Sequence, residues 1–238
     1  MIDGVRAVLT ALDRTVAARS ARITARTDHS WALPSMPGRT ARGPVASAAI
    51  GIGRTAGKAV GSAVGKGILR LVADGADPRH LVGQGVLDLA GRRSMIDYGS
   101  YAVLQVGAQE WSGRSGRALQ TLPPATPRIG APLWLIDLAA GVTTAVDWGI
   151  DDVEGRRWRH LKATASLPEA SSRHPDGMPS PARGRYEDLL ELPLEVWLDD
   201  EHLRRICFVD DHRTQSVTLF ELGVDTGGMD WSRLPDLA

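Results

Sequence analysis

The chain reads as an α+β fold built on an antiparallel sheet, and three observations predict it. Helical spacing of apolar residues is confined to a few segments, chiefly 3–19, 45–73 and 132–145. Period-two alternation takes over in 81–119 and again in 193–224. The alternating runs are separated by short polar pairs, among them Asp199–Asp200 and Asp210–Asp211, which suit hairpin turns because Asp tolerates tight backbone geometry.

Taken in order, the first element is an amphipathic helix over 3–19. Val5, Val8, Leu9, Leu12 and Val16 recur at spacings of three and four, with Asp3, Arg6, Asp13 and Arg14 mostly on the other side. A strand follows from about Ala21 to Trp31, and the Pro, Gly and Ser content of 34–44 marks a loop. Residues 45–73 place small residues at every fourth position, from Ala49 through Gly53, Gly57 and Gly61 to Gly65. They are flanked by a basic row that includes Arg54, Lys58, Lys66 and Arg70 and by an apolar row from Ile52 to Val72. Each interior Gly costs a helix about 1 kcal/mol relative to Ala, so this segment needs something packed against it. Three readings stand: a groove packed on the protein's own helix or on a second copy, a surface that lies on anionic lipid, or disorder. The basic residues forbid a membrane-spanning reading.

From Leu81 the alternation predicts strands near 81–90, 93–107 and 109–119, broken at Gly91–Arg92 and near Gly107 or Gly113. A Pro-rich stretch at 121–132 ends that section. Helical spacing over 132–145 puts Leu135, Leu138, Ala139 and Val142 on one face. Gly155 marks a turn before a strand from about Arg156 to Leu167. The polar stretch 168–185 is either a lid or a plain connection. A short helix at 185–191 leads into strands at 193–199, 203–210 and 214–224. In the first of these Leu194, Val196 and Leu198 share one face, opposite Glu195 and Trp197. In the last, Val217, Leu219 and Glu221 oppose Thr218, Phe220 and Leu222. Residues 225–238 read as a flexible tail, anchored, if at all, by Trp231.

Composition bounds the function. A chain of 238 residues fits one large domain, 1–238, with 34–80 as an insertion of loop plus Gly-rich helix. Formal net charge is zero, but residues 1–80 hold 12 Lys/Arg against 5 Asp/Glu, so a basic front faces an acidic remainder. The single cysteine, Cys207, excludes an internal disulfide and a Cys-based zinc cluster. Its apolar neighbours Ile206, Phe208 and Val209 favour a core residue over a reactive thiol. Residues 1–22 lack the unbroken apolar stretch of a secretory signal and a Cys for lipid attachment, so a cytoplasmic protein, at most peripheral to a membrane, is expected.

No catalytic motif survives inspection. Asp199, Asp200 and His202 could join Asp210, Asp211 and His212 in a metal site, but the strand between them spans roughly 23 Å at about 3.3 Å per residue. Each group is therefore a polar turn. The string WSGRSGRA at 111–118 lacks the spacing of a nucleophile elbow. GIGRTAGKAVG at 51–61 puts Ala59 where a phosphate loop carries its metal-binding hydroxyl.

Two stretches carry a family resemblance: VEGRRWRHLKATASL at 153–167 and LPLEVWLDDEHLRRICF at 192–208. With Val153 and Gly155, then Pro193, Glu195, Val196, Trp197, Leu198 and Asp199, then Leu203, Arg204 and Arg205, the chain resembles the actinobacterial LppX/LprG lipoproteins. More distantly it resembles the LolA/LolB carriers. GVLDLAGRRSM at 85–95 matches more loosely, and the Gly-rich 45–73 departs from the pattern as an insertion. The resemblance implies a strongly curved antiparallel half-barrel whose helices lie on the concave face and which shelters acyl chains. The 132–145 helix would then plug that concavity or line it. Trp134, Leu135, Leu138, Val142, Trp148, Trp158 and Trp197 become the candidate wall. The expected function is non-enzymatic binding of a lipid or other hydrophobic ligand, with no cofactor, no metal and no nucleic acid. The alternative is a regulatory or protein-interaction module with a filled cavity, associated with a partner or an anionic membrane through Arg54, Lys58, Lys66 and Arg70.

Overall fold

The structure is a computed structural model that describes residues 2–29, 80–99, 101–114, 116–125, 130–173, 191–210 and 213–235. The loop at 34–44, the Gly-rich segment with Arg54, Lys58, Lys66 and Arg70, the short helix expected from 185, and Asp211 and His212 lie outside the described residues.

Among the described residues ten strands form one antiparallel sheet: β1 (Ser20–His29), β2 (His80–Asp88), β3 (Arg93–Asp97), β4 (Ala102–Val106), β5 (Gln109–Gly113), β6 (Val142–Val153), β7 (Arg156–Ser166), β8 (Glu191–Leu198), β9 (Leu203–Asp210) and β10 (Arg213–Leu222). Their order is β5-β4-β3-β2-β1-β10-β9-β8-β7-β6, so the sheet is open, and β1 is joined to β10 at its middle. Among the described residues three α-helices accompany it: α1 (Ile2–Ala17), α2 (Pro132–Ala139) and α3 (Leu167–Ser172). Among the described residues no helix is long and apolar enough to cross a membrane.

Helix α1 forms where its spacing predicts, with Asp3 in the first turn and Arg14 in the last, each favourable to the helix dipole. Its buried face is Gly4, Val8, Ala11, Leu12 and Thr15, which leaves Val5 and Leu9 half-buried on the flank and Val16 exposed. Gly4 is required by close approach, since a Cβ there would sit 2.5 Å from the Ala145 carbonyl oxygen of β6. Buried Thr15 joins the helix to the sheet. Its Oγ1 donates to the Ala11 carbonyl at 2.8 Å and accepts the Leu203 amide at 2.9 Å.

Helix α2 starts on Pro132, whose missing N–H is one of the groups a first turn leaves free, and all eight of its residues are buried. It lies against β3, β7, β9, β10, α1 and α3, while α1 lies against β6, β8 and β9. The main core joins both helices to Ala21 and Ile23 of β1, Leu161 and Ala163 of β7, Val196 of β8, Ile206 and Phe208 of β9, and Val217 and Leu219 of β10. Arg92, in the β2–β3 turn at φ 51°, reaches this core. Its two terminal nitrogens donate to the two carboxylate oxygens of Asp137 at 2.9 and 2.5 Å.

Several expectations are corrected. The helix read over 132–145 ends at Ala139, and Val142 opens β6 instead. Gly141 ends the helical stretch, and the β-branched run Val142–Thr143–Thr144 favours a strand. The strand read over 93–107 is two strands, reversed between Tyr98 and Tyr101 with Gly99 at φ 81°. In β10 a bulge makes Phe220 the extra residue, because Leu219 pairs with Ile23 and Glu221 with Arg22. Leu222 therefore returns to the core side and packs on the main core. A helix not foreseen, α3, is capped by Ser166, whose Oγ accepts the Glu169 amide at 3.3 Å. Finally, residues 225–235 pack on the protein. Leu234 is fully buried against Met95, Ala102 and Leu104, and its amide donates to the Arg117 carbonyl at 2.9 Å. The Arg93 guanidinium stacks on Trp231, 4.4 Å from the ring centroid.

Candidate functional site

The structure divides the seven candidate wall residues into three places. Trp134, Leu135, Leu138 and Val142 come together in the main core, where Trp134 meets Phe208 edge-on with ring centroids 5.5 Å apart. Trp158 and Trp197 come together elsewhere, with Val153 and Cys207. Strand alternation puts them on the opposite face: Trp197 is out of phase with Leu194 and Val196, and Trp158 with Leu161 and Ala163. Trp148 joins neither group. It is exposed on β6, with the Lys162 ammonium 3.8 Å from its ring centroid.

On that opposite face His160 stacks on Trp197, ring centroids 4.4 Å apart. The Trp197 indole N–H donates to Asp151 at 3.0 Å. His160 Nδ1 stands 2.9 Å from Asp151 and Nε2 3.6 Å from Glu195, yet neither nitrogen is aligned for a hydrogen bond. Cys207 lies in the same layer. Burial pushes its thiol up to about 12, with Glu195 and Asp28 adding to the effect against the opposing pull of Arg205. At that value the reactive thiolate is essentially absent at neutral pH.

The acidic hairpin turn has a structural task. Asp199 accepts the amides of Glu201 at 2.9 Å and His202 at 2.6 Å, and its other oxygen accepts from Arg204. Burial pushes this carboxyl up, but those donors outweigh it and hold it below the usual carboxylate range. Among the described residues no three His, Cys, Asp or Glu side chains are placed to hold a metal ion.

Two open depressions stand out among the described residues. One, about 480 Å³, lies where β1, β2 and β10 end, and is polar, with Arg19, Ser20, Asp88, Arg93 and Asp225 in its lining. Asp88 there accepts the Gly91 amide at 2.7 Å and the Arg93 guanidinium at 2.5 Å, so its charge is already met. The other, about 500 Å³, is a mainly apolar groove between α1 and β6, lined by Val5, Arg6, Leu9, Thr10, Asp13, Thr143 and Thr144. The groove lies beside the close approach of Gly4 to Ala145, where the half-buried flank of Val5 and Leu9 meets Thr143 and Thr144. Sequence reading missed the two threonines because it placed them on a helix. The signal that could have found them was the β-branched run after Gly141.

No family model matches the sequence, and no curated protein matches it either. Solved structures do. The chain is similar to mycobacterial lipoproteins. LprF from Mycobacterium bovis is 10% identical, with 98% of each chain covered and a TM-score of 0.48. The lipoprotein LppX from Mycobacterium tuberculosis is 11% identical, covering 93% of this chain and 98% of its own, with a TM-score of 0.48. A LolA superfamily protein from Nitrosomonas europaea is 8% identical over 99% of this chain and 95% of its own, with a TM-score of 0.32. LppX and LolA-superfamily proteins are the groups that the motifs in 153–208 resemble. At these identities the chemistry of the site has to be read from its own residues.

Proposed function

We propose that the protein is a non-enzymatic binder of a lipid or another hydrophobic ligand, and that the α1–β6 groove receives it. The observation that carries this reading is the groove itself. At about 500 Å³ it is within the size range of small-molecule sites, and it sets half-buried Val5 and Leu9 among exposed Arg6, Thr10, Asp13, Thr143 and Thr144. Arg6 is exposed and supplies a guanidinium for the head of an amphiphile.

We further infer that the sheet curls around α1 and α2, as a half-barrel does. In a flat sheet β3 and β7, six places apart in the order, would stand roughly 29 Å apart at about 4.8 Å per strand. An eight-residue helix is only about 12 Å long, yet α2 lies against both strands. Curling supports a concavity occupied by α2, with the free volume displaced to its flank under α1. Work at the periphery of a membrane, inside the cell, would suit such a binder.

Native mass spectrometry of protein purified without detergent tests the reading. The wild type is expected to carry an apolar adduct that a Thr144→Trp variant, filling the groove from an exposed position, has lost. A wild type of bare mass that also takes up no added fatty acid would sink it. A second reading is favoured by one observation, the complete burial of α2: the concavity is filled for good and the chain is a protein-interaction module. That reading expects no adduct in either protein.

A further inference from the structure

β6 is the last strand of the sheet, and among the described residues no strand pairs with its outer edge. Its pairing with β7 is interrupted between Val142 and Thr144 and again between Asp147 and Gly149. Bulges of this kind make an edge a poor template for adding another strand. The strand nonetheless exposes three large apolar side chains: Val146 is 54% exposed, Trp148 61% and Ile150 56%. A polar edge would be the ordinary safeguard, so the three side chains call for an occupant.

The register says what shape that occupant has. Val146 pairs with Lys162 and Ile150 with Arg159, so by alternation along β7 the two leave opposite faces of the sheet. Trp148 is the unpaired residue of the bulge between them. The apolar groups thus surround a rim instead of forming one patch. A folded partner presents one surface and would cover one face, whereas a fluid apolar phase can surround a rim. The acidic side chains of β6 are turned to donors of the protein itself. Asp147 is paired with Arg159 at 2.8 Å, Asp151 accepts the Trp197 indole, and Asp152 accepts the Gly155 amide at 2.8 Å. Arg157 and Lys162 form no ion pair among the described residues, and the Lys162 ammonium lies over the Trp148 ring. An indole beside a snorkelling ammonium suits the layer where hydrocarbon meets headgroups.

We propose that the β6 rim of Val146, Trp148 and Ile150 inserts into the interfacial layer of a lipid bilayer, with Lys162 and Arg157 meeting anionic headgroup phosphates. The inference rests on the ligand reading and deepens it. Thr143 and Thr144 of the same strand wall the groove, so a docked rim sets the groove mouth at the membrane from which the ligand comes.

Flotation with vesicles of phosphatidylcholine containing a quarter phosphatidylglycerol tests it, using the wild type and a Val146→Ser/Trp148→Ser/Ile150→Ser variant. The wild type is expected to float, and the triple variant to bind at least about tenfold more weakly at an unchanged melting temperature. If the triple variant does not fold, Trp148→Ser alone is read, with a loss of several-fold expected. Lys162→Gln/Arg157→Gln is expected to lose the preference for phosphatidylglycerol over phosphatidylcholine alone. The proposal is overturned by a wild type that stays with the dense fraction, or by rim variants that float as the wild type does. It is also overturned if sedimentation velocity shows a wild-type dimer that the triple variant dissolves, which would make a second copy the occupant. Binding of a fluorescent fatty acid in vesicle-free solution keeps the two claims apart. A wild type that binds the probe and does not float removes the rim alone; one that floats and binds no probe removes the groove.

Discussion

Replacing Arg92 by Met takes the guanidinium away from the Asp137 carboxylate in the main core. The side chain of Asp137 is 1% exposed, on a helix whose every residue is buried, and the guanidinium binds both of its oxygens. Met keeps a Cβ and an unbranched stem, so the cost of the positive φ at position 92 is the same in both proteins and the charge is what changes. Removing one partner of a buried pair typically costs about 3–5 kcal/mol, a large share of the roughly 5–15 kcal/mol by which a domain is stable. For a chain of this size that is a fall of roughly 6–20 °C in Tm. Urea denaturation followed by far-UV circular dichroism reads the loss. Arg92→Met/Asp137→Leu, which removes both charges, is expected to recover most of it, because well-packed apolar replacements of a buried pair are often close to neutral. An Arg92→Met protein within about 1 kcal/mol of wild type, or a double variant no better than the single, would refute the reasoning.

Three further outcomes are expected. Thr15→Val orphans the buried Leu203 amide and should cost about 1–3 kcal/mol in the same urea experiment. Cys207, with its thiol pushed up to about 12 by burial, should resist an aromatic disulfide reagent in the native protein and react in full once the chain is unfolded. Asp88 and Asp199 share one electrostatic logic: burial raises each carboxyl, but amide and guanidinium donors outweigh it and lower it below its ordinary value. A depressed carboxyl contributes stability above its unfolded pKa and loses it as pH falls through the folded one. Stability should therefore decline below about pH 4, and less steeply in Asp88→Asn or Asp199→Asn.

The sequence was most legible where one physical rule acted alone. α1 is amphipathic in water-facing surroundings, and the core residues of β8 recur at every second position from Leu192 to Leu198 because one face of the strand meets the main core. Legibility failed where two rules overlapped. The three-and-four spacing of Leu135, Leu138 and Val142 runs on across Ala140 and Gly141, so the end of α2 was hidden. β6 does not alternate, because an edge strand with two bulges buries only Val142, Ala145 and Val153. The reversal between β3 and β4 was masked by Tyr98 and Tyr101, which read as strand residues and instead stack on each other across the turn, 4.8 Å apart. The Ser166–Leu167–Pro168–Glu169 string was a helix start in plain view, passed over because a polar loop follows it. For the site, the tryptophans were found by composition, but which face each occupies depends on strand phase. The groove was invisible because it needs α1 and β6, distant in sequence, side by side.

The most direct test is a titration of the wild type and Thr144→Trp with a fluorescent fatty acid in the absence of membranes. Saturable one-site binding to the wild type, weakened at least about tenfold in Thr144→Trp at an unchanged melting temperature, is the expected result. Equal binding to both proteins, or none to the wild type, would contradict the α1–β6 groove as the ligand site.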